Sequence, residues 1–282
     1  MTGDWRGVLY PAELPTFHRV PAPVRVASLV RWFWIPEWNI TAGRVSRQEL
    51  IAFPACNLAV EPELVGLAGP TTRRSFRDLS GRGWAVGALL RPAAVAWFTA
   101  EPTHLCDRYE ILDLPQLHAV VAAAMTSDEA DDERRTRAVE GFADWLAATV
   151  PAPDTDGVLA NAMAELIDGD QSVLQVTDAA ARLGVSVRTL QRLARRHVGV
   201  SPLAMIRRRR LQEAAERLRG DPTTDIAAVA ADLGYSDHAH LAGDFRTVLG
   251  FTPSSYRGSS LGGGPAAKPL DGGGSVAGWT PR

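Results

Sequence analysis

The sequence predicts an α+β chain: a β-rich N-terminal domain, a helical connector, and an all-α C-terminal domain built from a repeated two-helix unit. Three observations lead there. Short apolar runs separated by Pro, Gly and Trp fill residues 1–108. A helical period then takes over. Finally, one phrase occurs twice, as "LGVSVRTLQRLARRHVGVSP" and "LGYSDHAHLAGDFRTVLGFTP". A chain of 282 residues is long enough to bury two separate cores.

In the first part, "ELIAF", "NLAVE", "ELVGLAG" and "GWAVGALL" read as short strands bounded by turn residues. Gly81-Arg82-Gly83 reads as a hairpin turn between "TRRSFRDL" and "WAVGALL". Such strands make a partial barrel, cupin-like at most. Over residues 109–150, "LPQLHAVVAAAM" and "SDEADDERRTRAVEGFADWLAATV" are helical. Ser127 or Asp128 can cap the second helix, whose acidic first turns suit the helix dipole. In it Ala138, Phe142, Trp145, Leu146 and Thr149 make one stripe. "VPAPDTDG" breaks the helix, leaving residues 151–157 as a linker before a helical domain at 158–257. The Gly-rich tail, 258–282, has too little apolar content to fold and is expected to be disordered.

Composition narrows the function classes. A net charge of −2 argues against a chain that is basic throughout. Of its basic residues only Lys268 is lysine, and the guanidinium bias suits phosphate and guanine recognition, although a GC-rich genome would leave the same bias. Cys56 and Cys106 supply neither a disulfide framework nor zinc-ligand spacing, and "MTGDWRGVLYP" is no charged-then-apolar leader, so a reducing cytoplasm is expected. The most apolar stretch, "WAVGALLRPAAVAWF", is interrupted by Arg91-Pro92 and is too short for a membrane span. No nucleophile elbow, phosphate loop or paired metal motif is present. Catalytic residues, cofactor and metal are therefore not expected. His238 and His240, two apart on a helix, point about 200° apart and cannot clasp one ion.

The repeat carries the chemistry. In its first copy Thr177 or Asp178 caps "VTDAAARL", with Ala179, Ala180 and Leu183 inward. Gly184 sits where a tight turn needs a positive φ, and Ser186 caps a second helix buried through Leu190, Leu193 and Ala194. Two short helices joined by a Gly-containing turn form a helix-turn-helix, whose second helix reads bases in the DNA major groove. With the leucines inward, Arg188, Gln191, Arg192 and Arg195 point outward. Arginine can grip guanine, and glutamine adenine, with two hydrogen bonds each. From Arg182 to Arg219 eleven arginines face only Glu213 and Glu216, a local charge of +9. The members of "RRRR" at 207–210 point in different directions on one helix, so at least one or two should brace acidic side chains. The second copy repeats the frame with Asp225, Ile226, Val229 and Leu233, a Ser236 or Asp237 cap, and Leu241, Phe245 and Val248 inward. Its outward face holds His238, Ala239, His240 and Gly243 among acidic neighbours. The two copies share a frame and divide the work unequally.

Over roughly residues 155–257, "AAARLGVSVRTLQRLARRHVGVSPLAMIRRRRLQEAAERL", "DIAAVAADLGYSDHAHLAGDF" and "GFTPSSYR" resemble the DNA-binding domain of the AraC/XylS transcriptional regulators. The resemblance implies two helix-turn-helix units joined by a long helix, each entering a major groove on one face of double-stranded DNA. It places Arg188, Gln191 and Arg192 at bases in the first unit, and His238, Ala239 and His240 in the second. Arg195, Arg196 and Arg246 complete the expected DNA-binding set. Many relatives carry arginine where this chain has Gly243, so the first recognition helix, 186–197, is expected to do most of the reading.

The segments "LVRWFWIPEW", "FPACNLAVEP", "GPTTRRSF" and "GALLRPAAVAWF" resemble a small β-rich domain that precedes this DNA-binding domain in actinobacterial-type members. Such domains bind an effector or dimerise. Trp32, Trp34 and Trp38 could wall an apolar or cationic small-molecule effector, or serve as strand core. The implied partners are a DNA duplex, a small-molecule effector, a second copy of the chain and, for an activator, RNA polymerase. The alternative reading is a ligand-binding or protein-interaction module that has lost specific DNA binding.

Overall fold

In the computed structural model, which describes residues 16–50, 54–72, 75–221, 223–250 and 252–256, the N-terminal apolar runs pair as antiparallel strands. In chain order these are β1 (Thr16–Pro21), β2 (Val30–Asn39), β3 (Val45–Leu50), β4 (Asn57–Val60), β5 (Val65–Ala68), β6 (Ser75–Ser80), β7 (Arg82–Trp84), β8 (Val86–Leu90) and β9 (Tyr109–Leu112). The main sheet runs β1-β2-β8-β4-β5-β9, with β7 also on β2, while β3 and β6 form a ribbon of their own. Among the described residues the path does not close into a barrel, and β1 and β9 are its edges. The end of "ELIAF", residues 51–53, and the expected disordered tail lie outside the described residues.

Two expectations change here. Gly81, at φ +57, does not join β6 to β8 in a hairpin. It carries the chain from the ribbon to the main sheet, where β8 pairs with β2 and β4. Strand β9 falls in the stretch expected as helical connector, yet it pairs with β5 in a register that sets Val65 opposite Leu112. Its four residues include Glu110 and have no buried face, so neither alternation nor an apolar run marks it as a strand.

Alternation positions β2. Phe33 and Ile35 are buried on one face, and Trp32, Trp34 and Trp38 stand on the other. Against the buried face pack α2 (Pro115–Met125) and α3 (Asp131–Thr149), with the Phe33 and Phe142 rings edge to face at 5.4 Å. The expected stripe on α3 is buried at Ala138, Phe142 and Leu146, joined by Val139 and Ala143, while Trp145 and Thr149 are only half-buried. Ala130, not Ser127 or Asp128, stands at the cap of α3. The Ser127 hydroxyl instead donates to the Ala124 carbonyl at 2.9 Å, closing α2. Arg134 and Arg135 each donate to Glu37 of β2 at 2.6 Å, so the connector is fastened to the sheet. A short helix, α1 (Pro92–Phe98), follows β8.

The C-terminal part is helical throughout: α4 (Thr155–Gly169), α5 (Val176–Arg182), α6 (Val187–His197), α7 (Pro202–Gly220), α8 (Ile226–Asp232) and α9 (His238–Leu249). It has two cores. One gathers α4, α5 and α6 around Met163, Ile167, Leu190 and Leu193. The other gathers α8 and α9 around Val229, Leu241, Phe245 and Tyr256. Helix α7 supplies both, with Met205 and Ile206 in the first and Leu211, Ala214, Ala215 and Leu218 in the second. A 19-residue helix is about 28 Å long, enough to hold two units side by side.

The two parts of the chain are docked, and not merely linked. Asn161 of α4 accepts from the Ala93 N–H at 2.9 Å and donates to the Ser28 carbonyl at 2.8 Å. Arg31 pairs with Asp168 and Arg91 with Glu165. At the far end of α6, Gly199 lies so close to Pro102 that a Cβ would sit 2.4 Å from the Pro102 carbonyl oxygen.

Candidate nucleic-acid interface

The first helix-turn-helix unit is assembled by its caps. The Asp178 carboxylate accepts from the backbone N–H groups of Leu174 and Gln175 at 3.0 and 2.8 Å, so Gln175, not Thr177 or Asp178, is the cap and α5 starts at Val176. Gly184 takes φ +64 at the turn. Ser186 Oγ accepts from the Thr189 N–H at 3.1 Å and starts α6. Leu190, Leu193 and Ala194 are fully buried. On the opposite side Arg188, Gln191 and Arg195 are exposed, spaced three and four apart, and free of side-chain partners among the described residues.

Arg192 and Arg196, also expected on this face, are differently placed. Arg192 makes a fork onto Asp156 in the first turn of α4, at 2.6 and 3.1 Å, and Arg196 stands 3.7 Å from the same carboxylate. The Arg192 hydrogen bonds hold the Asp156 carboxyl below the usual carboxylate range. Sequence reading missed Asp156 because it lies in the stretch taken as linker. No spacing signal joins it to a residue 36 positions away.

The second unit repeats the frame. Asp225 caps α8 by accepting from the Ala227 N–H at 3.1 Å, and Asp237 caps α9 by accepting from the His240 N–H at 2.8 Å. Leu241, Phe245 and Val248 are buried as expected. His238, His240 and Arg246 are exposed. The His240 ring meets Ser236 Oγ at 3.2 Å and stands edge-on to Tyr235 at 5.1 Å. At Gly243 an added Cβ would meet nothing within 4 Å, so α9 runs continuously past an open position that carries no cation.

The run Arg207–Arg210 is wiring, and each member goes to a different place. Arg207 forks onto Asp244 of α9 at 2.7 and 2.6 Å. Arg208 is buried and donates to the carbonyl and hydroxyl of Thr71 in the N-terminal domain, at 2.5 and 3.1 Å. Burial pulls its pKa down to about 10, opposed by the charge of Asp107. Arg209 caps the loop after α4, donating to the carbonyls of Asp170 and Val173 at 2.6 and 2.8 Å. Arg210 lies over the Tyr235 ring at 3.8 Å. Elsewhere Arg182 pairs with Asp170, and Arg217 with Glu213 and Asp232. Across residues 155–257 thirteen arginines face twelve carboxylates, so the +9 window is flanked by the acids that neutralise it.

The three tryptophans each lie against a different partner. Trp34 lies flat against Gly87 of β8 and donates to Asn57 Oδ1 at 3.0 Å. Trp38 covers Gly83 of β7 and donates to the Ser80 carbonyl at 3.1 Å. The guanidinium groups of Arg19 and Arg31 lie over the Trp32 ring, at 4.4 and 4.7 Å from its centre. Among the described residues no group of His, Cys, Asp and Glu could hold a metal ion, and no helix is long and apolar enough to cross a membrane.

Comparison with known proteins agrees with this geometry. Residues 179–259 match a family described as a helix-turn-helix domain, and residues 18–110 match a domain of unknown function, DUF6597. An AraC-like transcription regulator of Streptomyces lividans is 34% identical over 125 residues, which is 44% of this chain and 38% of that protein. One from Streptomyces antibioticus is 31% identical over 121 residues, 43% of this chain and 38% of that protein. The C-terminal part is an AraC-type helix-turn-helix domain. The matches with these curated relatives span little more than a third of their length, 38% of each. Among solved structures ToxT from Vibrio cholerae is similar at 13% identity and a TM-score of 0.40, covering 88% of this chain and 97% of that one. The AraC-type domain is preceded by the β-rich domain, in the order the sequence predicted.

Proposed function

We propose that this chain is a sequence-specific transcription regulator that binds a duplex operator chiefly through α6. The observation that carries the reading is the row Arg188, Gln191 and Arg195, exposed and unpaired on a helix pinned from behind by Leu190 and Leu193. Guanidinium and amide groups at that spacing suit guanine, adenine and phosphate. Arg192 and Arg196 join them when DNA draws them from Asp156. His238, His240 and Arg246 on α9 give the second unit a weaker hold. The N-terminal domain, with α2 and α3 as part of its body, supports effector control or pairing of two copies. RNA polymerase is the further partner of an activator, and the cytoplasm is the compartment. None of these roles calls for a catalytic step.

A second reading has one observation in its favour. Most arginines of the helical domain are engaged within the protein, as expected of an interaction module that no longer reads DNA. Selection of bound sequences from a random duplex pool separates the two. A regulator enriches one sequence family, with affinity falling steeply as salt rises. Weak retention of every duplex alike would refute the proposal.

A further inference from the structure

Helix α7 meets the second unit at two polar points as well as through its apolar side. Arg207 and Arg210, three apart, share one face of the helix. The Arg207 guanidinium forks onto both carboxylate oxygens of Asp244, in the middle of α9, at 2.7 and 2.6 Å. One turn on, Arg210 lies 3.8 Å over the ring of Tyr235, which belongs to the turn between α8 and α9. Burial raises the Tyr235 pKa, and the charges of Arg210, Asp244 and Arg207 all act on it, so the four side chains form one cluster. The Tyr235 ring in turn stands edge-on to His240 near the start of α9, 5.1 Å away.

These ties do what the apolar contact between the helices does not. Leu211, Ala214, Ala215 and Leu218 of α7 bury the inner side of α8 and α9, but apolar burial has no direction. A guanidinium–carboxylate fork has one, because its two parallel bonds fix both separation and rotation. The Asp244 side chain is only 15% exposed and that of Arg207 40%, so water screens the pair in part. A single tie lets α9 pivot; a second, at its N-terminal end, leaves it one direction relative to α7. On its other side α7 holds the first unit through Met205, Ile206 and the Arg209 cap. The direction matters on DNA. The 12-residue α9 is about 18 Å long, and a tilt of about 10° moves its end by about 3 Å, close to the ~3.4 Å advance of one base pair.

We propose that Arg207 and Asp244, backed by Arg210 on Tyr235, are positioning residues that lock α9 against α7 and so set which spacing between two duplex segments the chain accepts. Neither Arg207 nor Asp244 belongs to the set expected to touch DNA. They act through the placement of His238, His240 and Arg246 relative to Arg188, Gln191 and Arg195. The inference deepens the duplex-binding function proposed above and rests on it for the spacing, but not for the lock itself.

The lock is tested first on the full chain without DNA. Nitroxide labels go on Gln191→Cys of α6 and His240→Cys of α9 in a Cys106→Ser background, Cys56 being fully buried. Pulsed dipolar spectroscopy should give one narrow distance distribution. Adding Asp244→Ala should widen it by about 3 Å, the displacement of a tilt of about 10°, while circular dichroism shows the helices intact. Arg207→Ala removes the same fork from its more exposed end and carries the test if Asp244→Ala does not fold; the double variant should do no more than either. Spacing is then read with unlabelled chains by anisotropy, on the selected duplex and on one with a base pair inserted between its two protected segments. The insertion should cost the wild type about tenfold in affinity, the order of one mismatched pair, and each variant about threefold or less. The variants should also bind the inserted duplex more tightly than wild type does, which a merely weakened second unit would not. An unwidened distribution in the folded variants, a wild-type spacing preference in a chain whose distribution has widened, or protection of one segment only would overturn the proposal. If no duplex is enriched, the DNA reading fails, and the distance distributions alone decide the lock.

Discussion

Replacing Asp156 by Asn keeps the shape of the side chain and removes the charge that holds Arg192. In the free protein the Arg192 fork onto Asp156 measures 2.6 and 3.1 Å, and Arg196 shares the carboxylate at 3.7 Å. Arg188 and Arg195 need no release, since both are exposed and unpaired. If Asp156 keeps Arg192 from phosphates on non-operator DNA, the variant gains one phosphate contact there. Each contact steepens the salt dependence of binding by about 0.9 in log–log slope, so a fourfold rise in salt costs the variant roughly 3.5-fold more affinity than wild type. The measurement is fluorescence anisotropy of a fixed random-sequence duplex titrated at several KCl concentrations. A double variant, Asp156→Asn with Arg192→Ala, should return the slope to the wild-type value. Superimposable slopes for wild type and Asp156→Asn would refute the reasoning, because Arg192 would then leave Asp156 for any duplex unaided.

Four further outcomes follow from the geometry. Arg188→Ala should weaken operator binding by about 1–3 kcal/mol and relax the preference at one base pair, read by titrating single-base variants of the selected duplex. Gly199→Ala should cost more than the 1–2 kcal/mol or so of a left-handed alanine, because its Cβ also meets the Pro102 carbonyl; thermal melts should show a larger loss than for Gly184→Ala, where nothing lies within 4 Å. Gly243→Ala, at an open mid-helix position, should raise stability by about 1 kcal/mol in denaturant unfolding. Burial holds the His197 imidazole below its ordinary pKa, so as pH falls through about 6.5 the unfolded chain takes up a proton before the folded one does, and stability drops; His197→Gln should flatten that part of the pH–stability curve.

What the sequence made legible was whatever depends on neighbours a few positions apart. Ser186, Gly184 and the Leu190–Leu193 pair are local signals, and cap, turn and buried stripe all stand where spacing put them. Strands were legible where an apolar run stood between turn residues, as at Asn57–Val60, and not at Tyr109–Leu112, which is half exposed and pairs with a strand over forty positions earlier. The tryptophans were read as candidate pocket walls because their aromatic type was visible. The glycines that seat them, Gly83 and Gly87, become their neighbours only through sheet register.

The arginine run shows why a charge window misleads about a surface. Counting along the chain treats each guanidinium as available, yet four successive residues on a helix point about 100° apart and meet four different environments. Here Arg207 and Arg210 face the second unit, Arg209 the first, and Arg208 the N-terminal domain. One turn of α7 therefore ties three bodies together, and the exposed, unpaired cations left for DNA on the recognition helices, among the described residues, are Arg188 and Arg195 on α6 and Arg246 on α9. A buried guanidinium is costly to hold, since burial depresses Arg208 to a pKa of about 10. Thr71, accepting two of its hydrogen bonds, and the nearby charge of Asp107 offset part of that cost. Separating the domains would expose Arg208 to water and leave the Thr71 carbonyl to find another donor. Any rearrangement of the two domains has to break this contact, so the orientation of the long helix that carries both reading units is tied to the N-terminal domain through Arg208.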